Sequence, residues 1–85
     1  MRYFFDIIDQ SRRDTDTEGV RLDTFEDMRA QARRALAQIA ADEPCSDVKM
    51  VIGVHVRDEQ GRDVYCLSLE IREDRRCNNK NAALM

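Results

Sequence analysis

Hydrophobic and polar residues alternate in several stretches of the chain, and this alternation predicts strands. Residues 2–9 are rich in aromatic and β-branched side chains, which favour a pleated strand. Residues 20–22 predict a short second strand that pairs antiparallel with the first. Residues 48–58 and 62–73 alternate in the same way and predict a third and a fourth strand.

Between the second and third strands, apolar residues recur at helical spacing. The stripe consists of Phe25, Met28, Ala32, Ala35, Leu36 and Ile39. Thr24 is a good N-cap, and Glu26 and Asp27 lie in the first turn, where the helix dipole favours negative charge. Because Pro44 disfavours helix in the residue before it, the helix should end near Ala41.

The last two predicted strands form a hairpin around the turn sequence at residues 58–61, which ends in a glycine. If Asp58 pairs with Gly61, apolar side chains meet on one side of the hairpin. These pairs are Met50–Leu69, Ile52–Leu67 and Val54–Tyr65. On the other side Lys49 meets Glu70, a charge-matched pair. A slip of one residue would set apolar side chains against polar ones, so the pattern selects this register over that slip.

Two glycines and an acidic segment complete the outline. Residues 10–19 are polar and acidic, and we expect a mobile, solvated turn. Gly19 permits a positive φ before the short strand. Gly53 lies inside a strand, which predicts either a bulge or a dimple that accepts a partner side chain beside His55.

The elements predict an α+β fold, an antiparallel sheet of about four strands in chain order β-β-α-β-β with one long helix packed on one face. Residues 1–73 form a single domain, and residues 74–85 are expected to be a disordered C-terminal tail. The apolar stripe of the helix is predicted to pack on one face of this sheet, against residues that include Leu69.

The opposite face of the sheet is the candidate binding surface, since one helix cannot cover both faces. Its candidate binding residues are Phe4, Val51, Gly53, His55 and Cys66. Antiparallel sheets tolerate one wet face, so a solvated surface with scattered apolar residues is one interpretation. The other is that this face, or a strand edge, meets a second copy or another protein.

Charge and composition narrow the classes of partner. Charged residues make up 36% of the chain and the formal net charge is −3, which suits nucleic acid phosphates poorly. Arg29, Arg33 and Arg34 fit a charged outer helix face. No apolar run approaches the roughly 20 residues that span a bilayer. The first residues indicate a strand rather than a signal peptide, so we expect a cytoplasmic protein.

The chemistry-bearing side chains fit no established site. The three cysteines are an odd number, which argues for reduced thiols rather than a disulfide framework. Cys66 could approach His55 diagonally, but no third group is evident that would orient the pair. A zinc set of Cys45, His55, Cys66 and Cys77 lacks the close ligand pairs of structural sites. We therefore expect no catalytic residues, no metal and no cofactor.

Three segments carry a resemblance to a known family. They are the opening at residues 2–7 with Glu18-Gly19-Val20, the cap and Ala/Arg-rich helix at residues 22–36, and residues 54–62. Together they resemble a family of small uncharacterised proteins of rhizobia and related alphaproteobacteria. The resemblance covers about residues 2–72 and implies no catalytic residues. The Met-Arg-Tyr opening and the Thr-Phe-Glu cap are also similar to HicB-type antitoxins, which inhibit a small ribonuclease toxin and often dimerise.

The sequence hypothesis for function is a non-catalytic protein-interaction or regulatory module that self-associates as a homodimer or binds another protein. The alternative is an antitoxin-like or RNA-binding module. A cryptic thiol or metal-dependent enzyme is a remote third hypothesis.

Overall fold

The structure, a computed structural model, describes residues 1–9, 12–42 and 49–73. Its elements are β1 (Arg2–Ile8), β2 (Arg13–Asp14), β3 (Val20–Arg21), α1 (Phe25–Asp42), β4 (Lys49–Arg57) and β5 (Asp63–Arg72). The predicted α+β class, with one helix on an antiparallel sheet, is confirmed. The two-residue strand β2 was not predicted. The tail at 74–85 lies outside the described residues.

The sheet is ordered β2-β1-β4-β5, and β3 also pairs with β1. Every pairing is antiparallel. β2 and β3 therefore follow one another along the same side of β1, while β4 occupies its other side. In the described part of the chain, β5 pairs with β4 alone and forms an edge of the sheet.

The helix packs as its apolar stripe predicts. The backbone N–H of Asp27 donates to Oγ1 of Thr24 at 3.0 Å, which confirms the N-cap. The buried core consists of Met28, Ala32, Leu36, Phe5, Ile52, Val54 and Val56. Phe25 belongs to the predicted stripe but is 50% exposed, and its ring meets that of Tyr65 edge-on at 5.5 Å. The stripe thus buries Ile52, Val54 and Val56 of β4, while the apolar residues of β5 that pack against the same core are only partly buried.

The predicted hairpin register is wrong by two residues. Val54 faces Leu67, and Ile52 faces Leu69. One residue of the error comes from the turn, where Asp58 pairs with Arg62, and the other comes from a register shift between Val56 and Arg57. A shift of two residues keeps every side chain on its face, so the hydrophobic pattern does not distinguish the two registers.

The hairpin turn is closed by a buried carboxylate. The Asp58 side chain accepts the backbone N–H groups of Gln60 at 2.9 Å and of Arg62 at 3.0 Å. Asp58 and Arg62 also join through their backbones, N–H to C=O, at 2.9 Å. The turn is therefore wider than the predicted Asp58–Gly61 pairing.

The observed register also changes the predicted charge pair. Lys49 now lies opposite Arg72, and its Nζ is 3.9 Å from a carboxylate oxygen of Glu70. Lys49 and Glu70 therefore still form an ion pair, but across a diagonal of the hairpin rather than directly opposite each other.

Gly53 does not form the predicted bulge. It lies in a regular ladder, with Ile8 on one side and Ser68 on the other. A Cβ added at this position would lie 3.6 Å from the carbonyl oxygen of Leu67, an ordinary contact. The irregularity of β4 lies between Val56 and Arg57 instead.

Candidate functional site

We call the side of the sheet away from α1 the outer face. The observed register arranges its residues in cross-strand rows, namely Phe4–Arg57, Asp6–His55–Cys66, Ile8–Gly53–Ser68 and Val51–Glu70.

Asp6 is the fully buried charge of the outer face, with 0% of its surface exposed. Arg57 donates to both of its oxygens, from Nε at 2.7 Å and from Nη2 at 3.0 Å. Nη2 of Arg13 donates at 2.9 Å and the backbone N–H of Asp16 at 3.0 Å. Each carboxylate oxygen thus accepts two hydrogen bonds, including a bidentate one from Arg57.

Asp16 joins β2 and β3 into one irregular border of the sheet. Its carboxylate accepts the backbone N–H of Phe5 at 3.0 Å, in place of a strand partner on that side of β1. It also accepts the N–H groups of Glu18 and Gly19, at 3.0 and 3.1 Å. Nη2 of Arg57 donates to the Asp16 carbonyl at 2.9 Å. We call Asp6, Arg13, Asp16 and Arg57 the carboxylate–arginine cluster.

The segment predicted to be a solvated turn, residues 10–19, is mostly exposed in its described part, 12–19, but it also contains the strand β2, which was not predicted. Two strand pairings and the cluster fix this segment against β1. Periodicity gave no sign of this, because the bonds that order the segment run from side chains to distant backbone groups.

The carboxyl pKa values in the cluster reflect two opposing effects. Burial by itself raises the pKa of Asp6, but the hydrogen bonds from Arg57, the Asp16 N–H and Arg13 outweigh it and lower the pKa to about 2. Burial likewise raises the pKa of Asp16, and the N–H groups of Phe5, Gly19 and Glu18 bring it below its usual range. The hydrogen bond to Asp6 raises the pKa of Arg57. Asp6, Asp16 and Arg57 are therefore ionised and hydrogen-bonded at neutral pH.

We expect acid to destabilise the fold through this cluster. Because the pKa of Asp6 falls from 3.8 to about 2 on folding, its contribution is complete above about pH 5 and is lost as the pH falls toward 2. The shift corresponds to roughly 2 kcal/mol of the free energy of unfolding. Urea unfolding at fixed protein concentration and several pH values between 6 and 2 measures this loss. A free energy of unfolding that stays level across that range would contradict it.

The predicted binding residues separate into two groups. Phe4 is half-buried, and the guanidinium carbon of Arg57 lies 5.1 Å from its ring centroid, so this residue belongs with the cluster. The others lie along β4 and β5. Val51 is 37% exposed, Cys66 is an exposed free thiol, and Gly53 and His55 are half-buried.

His55 and Cys66 face each other directly rather than diagonally. Asp6 completes the row, but its two oxygens already accept four hydrogen bonds from other groups. A nucleophile–base pair needs a hydrogen bond within reach, and none joins His55 to Cys66 in the described part of the chain. The three residues lie side by side in one row, but they lack the hydrogen bonds that a catalytic set requires.

Among residues 1–9, 12–42 and 49–73, no group of three or more side chains is arranged to hold a metal ion. Within the same ranges, no helix has both the length and the apolar character needed to cross a bilayer.

The free edge of β5 is a feature that sequence reasoning did not single out. The strand is ten residues long, and several of its side chains are exposed along its length. Val64 is 43% exposed and Leu69 38%. Leu69 was predicted to lie in the core under the helix, and this prediction is wrong because α1 lies mainly over β4.

The backbone direction along β5 follows from the hydrogen bonds of β1. The N–H of Phe5 points to Asp16, away from β4, so the facing residue Val56 turns its own N–H and C=O toward β5. The backbone N–H and C=O groups of successive residues point to alternate sides of a strand. Tyr65 and every second residue after it therefore bond to β4. The residues between them direct their N–H and C=O groups to the open edge; they are Cys66, Ser68 and Glu70.

Residues 2–70 match the model of a protein family described as a domain of unknown function, DUF6894. The match covers most of the chain, and the protein belongs to this family. The expected membership in an uncharacterised family is thereby confirmed. Comparisons with curated proteins and with solved structures found no match.

Proposed function

We propose that this protein is a non-catalytic interaction module that self-associates, and that it does so through the open edge of β5. The observation that carries the proposal is the ten-residue strand paired on one side only, in the part of the chain that the structure describes. An unpaired row of backbone N–H and C=O groups is a template for another strand.

The side chains around this edge support the same assignment. Leu69 on the helix side of β5 and Val64 near its start are both substantially exposed, and so is Phe25 at the start of α1, beside Tyr65. Strand edges that must stay unpaired are usually short, bulged, or protected by charge or proline. The centre of β5, from Tyr65 to Leu69, carries no charged side chain and no proline.

The outer face supports the proposal less well than the edge. The carboxylate–arginine cluster buries Asp6 and partly covers Phe4, which leaves scattered apolar residues rather than a continuous patch. In the predicted binding set, Val51 is 37% exposed and Cys66 is exposed as well. We therefore propose the open edge of β5, rather than the outer face, as the surface of self-association.

We expect the full chain to run as a dimer in size exclusion with light scattering at micromolar concentration, and Ser68→Pro to shift it to monomer. Proline removes the N–H that Ser68 directs to the open edge and leaves the bonds of β5 to β4 intact. Ser68→Ala, which keeps that N–H, is the matched control and should remain dimeric. Circular dichroism of both variants checks that the fold is retained.

Val51→Glu distinguishes the outer face from the edge. A charge at this outer-face position should leave an edge-paired dimer intact. Monomer formation by Val51→Glu together with a dimeric, folded Ser68→Pro would overturn the edge assignment. A wild-type chain that is monomeric at every concentration would overturn self-association itself.

A further inference from the structure

We infer that two copies of this chain pair β5 with β5 antiparallel, about a two-fold axis that passes between Ser68 and the partner's Ser68. This inference rests on the proposed function and adds the register. A two-fold axis perpendicular to a sheet joins identical edges antiparallel and keeps both helices on the same side. Ser68 directs its N–H and C=O outward, so it can lie at the centre of a hydrogen-bonded pair.

The helix side of β5 fits this register. Leu67 meets the partner's Leu69, and Tyr65 meets the partner's Ile71, so each of these four positions faces an apolar residue. Leu69, which is 38% exposed in the single chain, gains an apolar neighbour. The pairing therefore extends the apolar layer under the helix across the boundary between the two copies.

The outer side is less closely matched. Cys66 meets the partner's Glu70, and Val64, at the register shift near the start of β5, falls opposite the partner's Arg72. Asp63 falls opposite the partner's Glu73, a like-charged pair at the end of the paired segment, where both side chains are exposed. Glu70 keeps its contacts with Lys49 and Arg72 of its own chain, because these lie within one hairpin.

Neighbouring registers fit less well. An axis at Leu67 sets Asp63 against the partner's Ile71, and an axis at Leu69 sets Tyr65 against the partner's Glu73. An axis at Glu70 brings two glutamates face to face, which is destabilising. Of these axes, the one at Ser68 sets all four apolar residues of the helix side, Tyr65, Leu67, Leu69 and Ile71, against one another, and the register is inferred from that side.

Cysteine cross-linking tests the register. In a chain with Cys45, Cys66 and Cys77 all changed to serine, Ser68→Cys places two thiols on residues whose Cα atoms are about 5.5 Å apart, within reach of a disulfide. The matched control keeps Cys66 and changes only Cys45 and Cys77. Its two Cys66 residues lie four positions apart along the paired strands, roughly 13 Å, beyond disulfide reach.

Under mild oxidation we expect most of the Ser68→Cys protein to run as a covalent dimer on a non-reducing gel, and the Cys66 control to remain a single chain. Light scattering of the reduced proteins reports the non-covalent state separately. A reduced dimer that cross-links at Cys66, or at neither position, overturns the register and leaves self-association standing. A reduced monomer overturns both proposals.

Discussion

Asp6→Asn is expected to lower the free energy of unfolding by about 3 kcal/mol, a large part of the 5–15 kcal/mol that holds a typical domain together. The substitution keeps the size of a side chain that is fully buried. It removes the charge that Arg57 and Arg13 neutralise, and it replaces one acceptor oxygen by an N–H₂ group that faces those same donors. Urea unfolding followed by circular dichroism at pH 7 and fixed concentration measures the loss.

Asp14→Asn is the matched control for this substitution. Asp14 faces Ile7 on β1 and pairs with Arg12 at 3.6 Å, but its side chain is 63% exposed. An exposed pair of this kind contributes less than about 1 kcal/mol. Equal losses from Asp6→Asn and Asp14→Asn would show that burial of the Asp6 pairing carries no special weight. The Asp6 variant should also lose part of the acid sensitivity expected of the wild type.

Gly19→Ala is expected to lower the free energy of unfolding by about 3 kcal/mol, through backbone strain and steric overlap together. Gly19 has a φ of 76°. An added Cβ would lie 2.8 Å from Cγ of Arg2, 2.9 Å from Cε2 of Phe4 and 3.0 Å from the Tyr3 carbonyl oxygen. The flexible arginine can move, but the ring and the backbone oxygen are held by β1. Thermal and urea unfolding report the loss.

Gly61→Ala separates the two causes. Its φ is 82°, nearly that of Gly19, but a Cβ there would meet nothing within 4 Å. Its cost should be backbone strain alone, about 1 kcal/mol. If both glycine variants lose the same stability, the close approach of β1 to Gly19 contributes nothing. A larger loss at Gly19 measures how firmly residues 15–19 are held against the strand.

The sequence predictions were correct where the interacting residues are close together in the chain, and less so where they are far apart. Thr24 and Asp27 are three residues apart, and their cap was predicted and found. The helix stripe likewise depends on neighbours within two turns. The hairpin register depended on how the turn at Asp58 closes, and a two-residue error left the hydrophobic pattern unchanged.

The candidate site was harder to predict for the same reason. Asp6 and Arg57 are 51 positions apart, and the sequence showed them as ordinary polar residues of alternating strands. The alternation of apolar and polar residues along the strands predicted the face of the sheet on which each residue lies. It did not tell that the segment after β1 would cover that face, nor that α1 would lie over β4 and leave Leu69 exposed.

By itself, the sequence determined the α+β class, the start of the helix and the face on which most core residues lie, because these follow from local caps and from the period of apolar residues. The tertiary structure alone decided the hairpin register, the carboxylate–arginine cluster and the open edge of β5. Each of these depends on which distant groups meet, and that is set by strand order and backbone direction rather than by any local pattern.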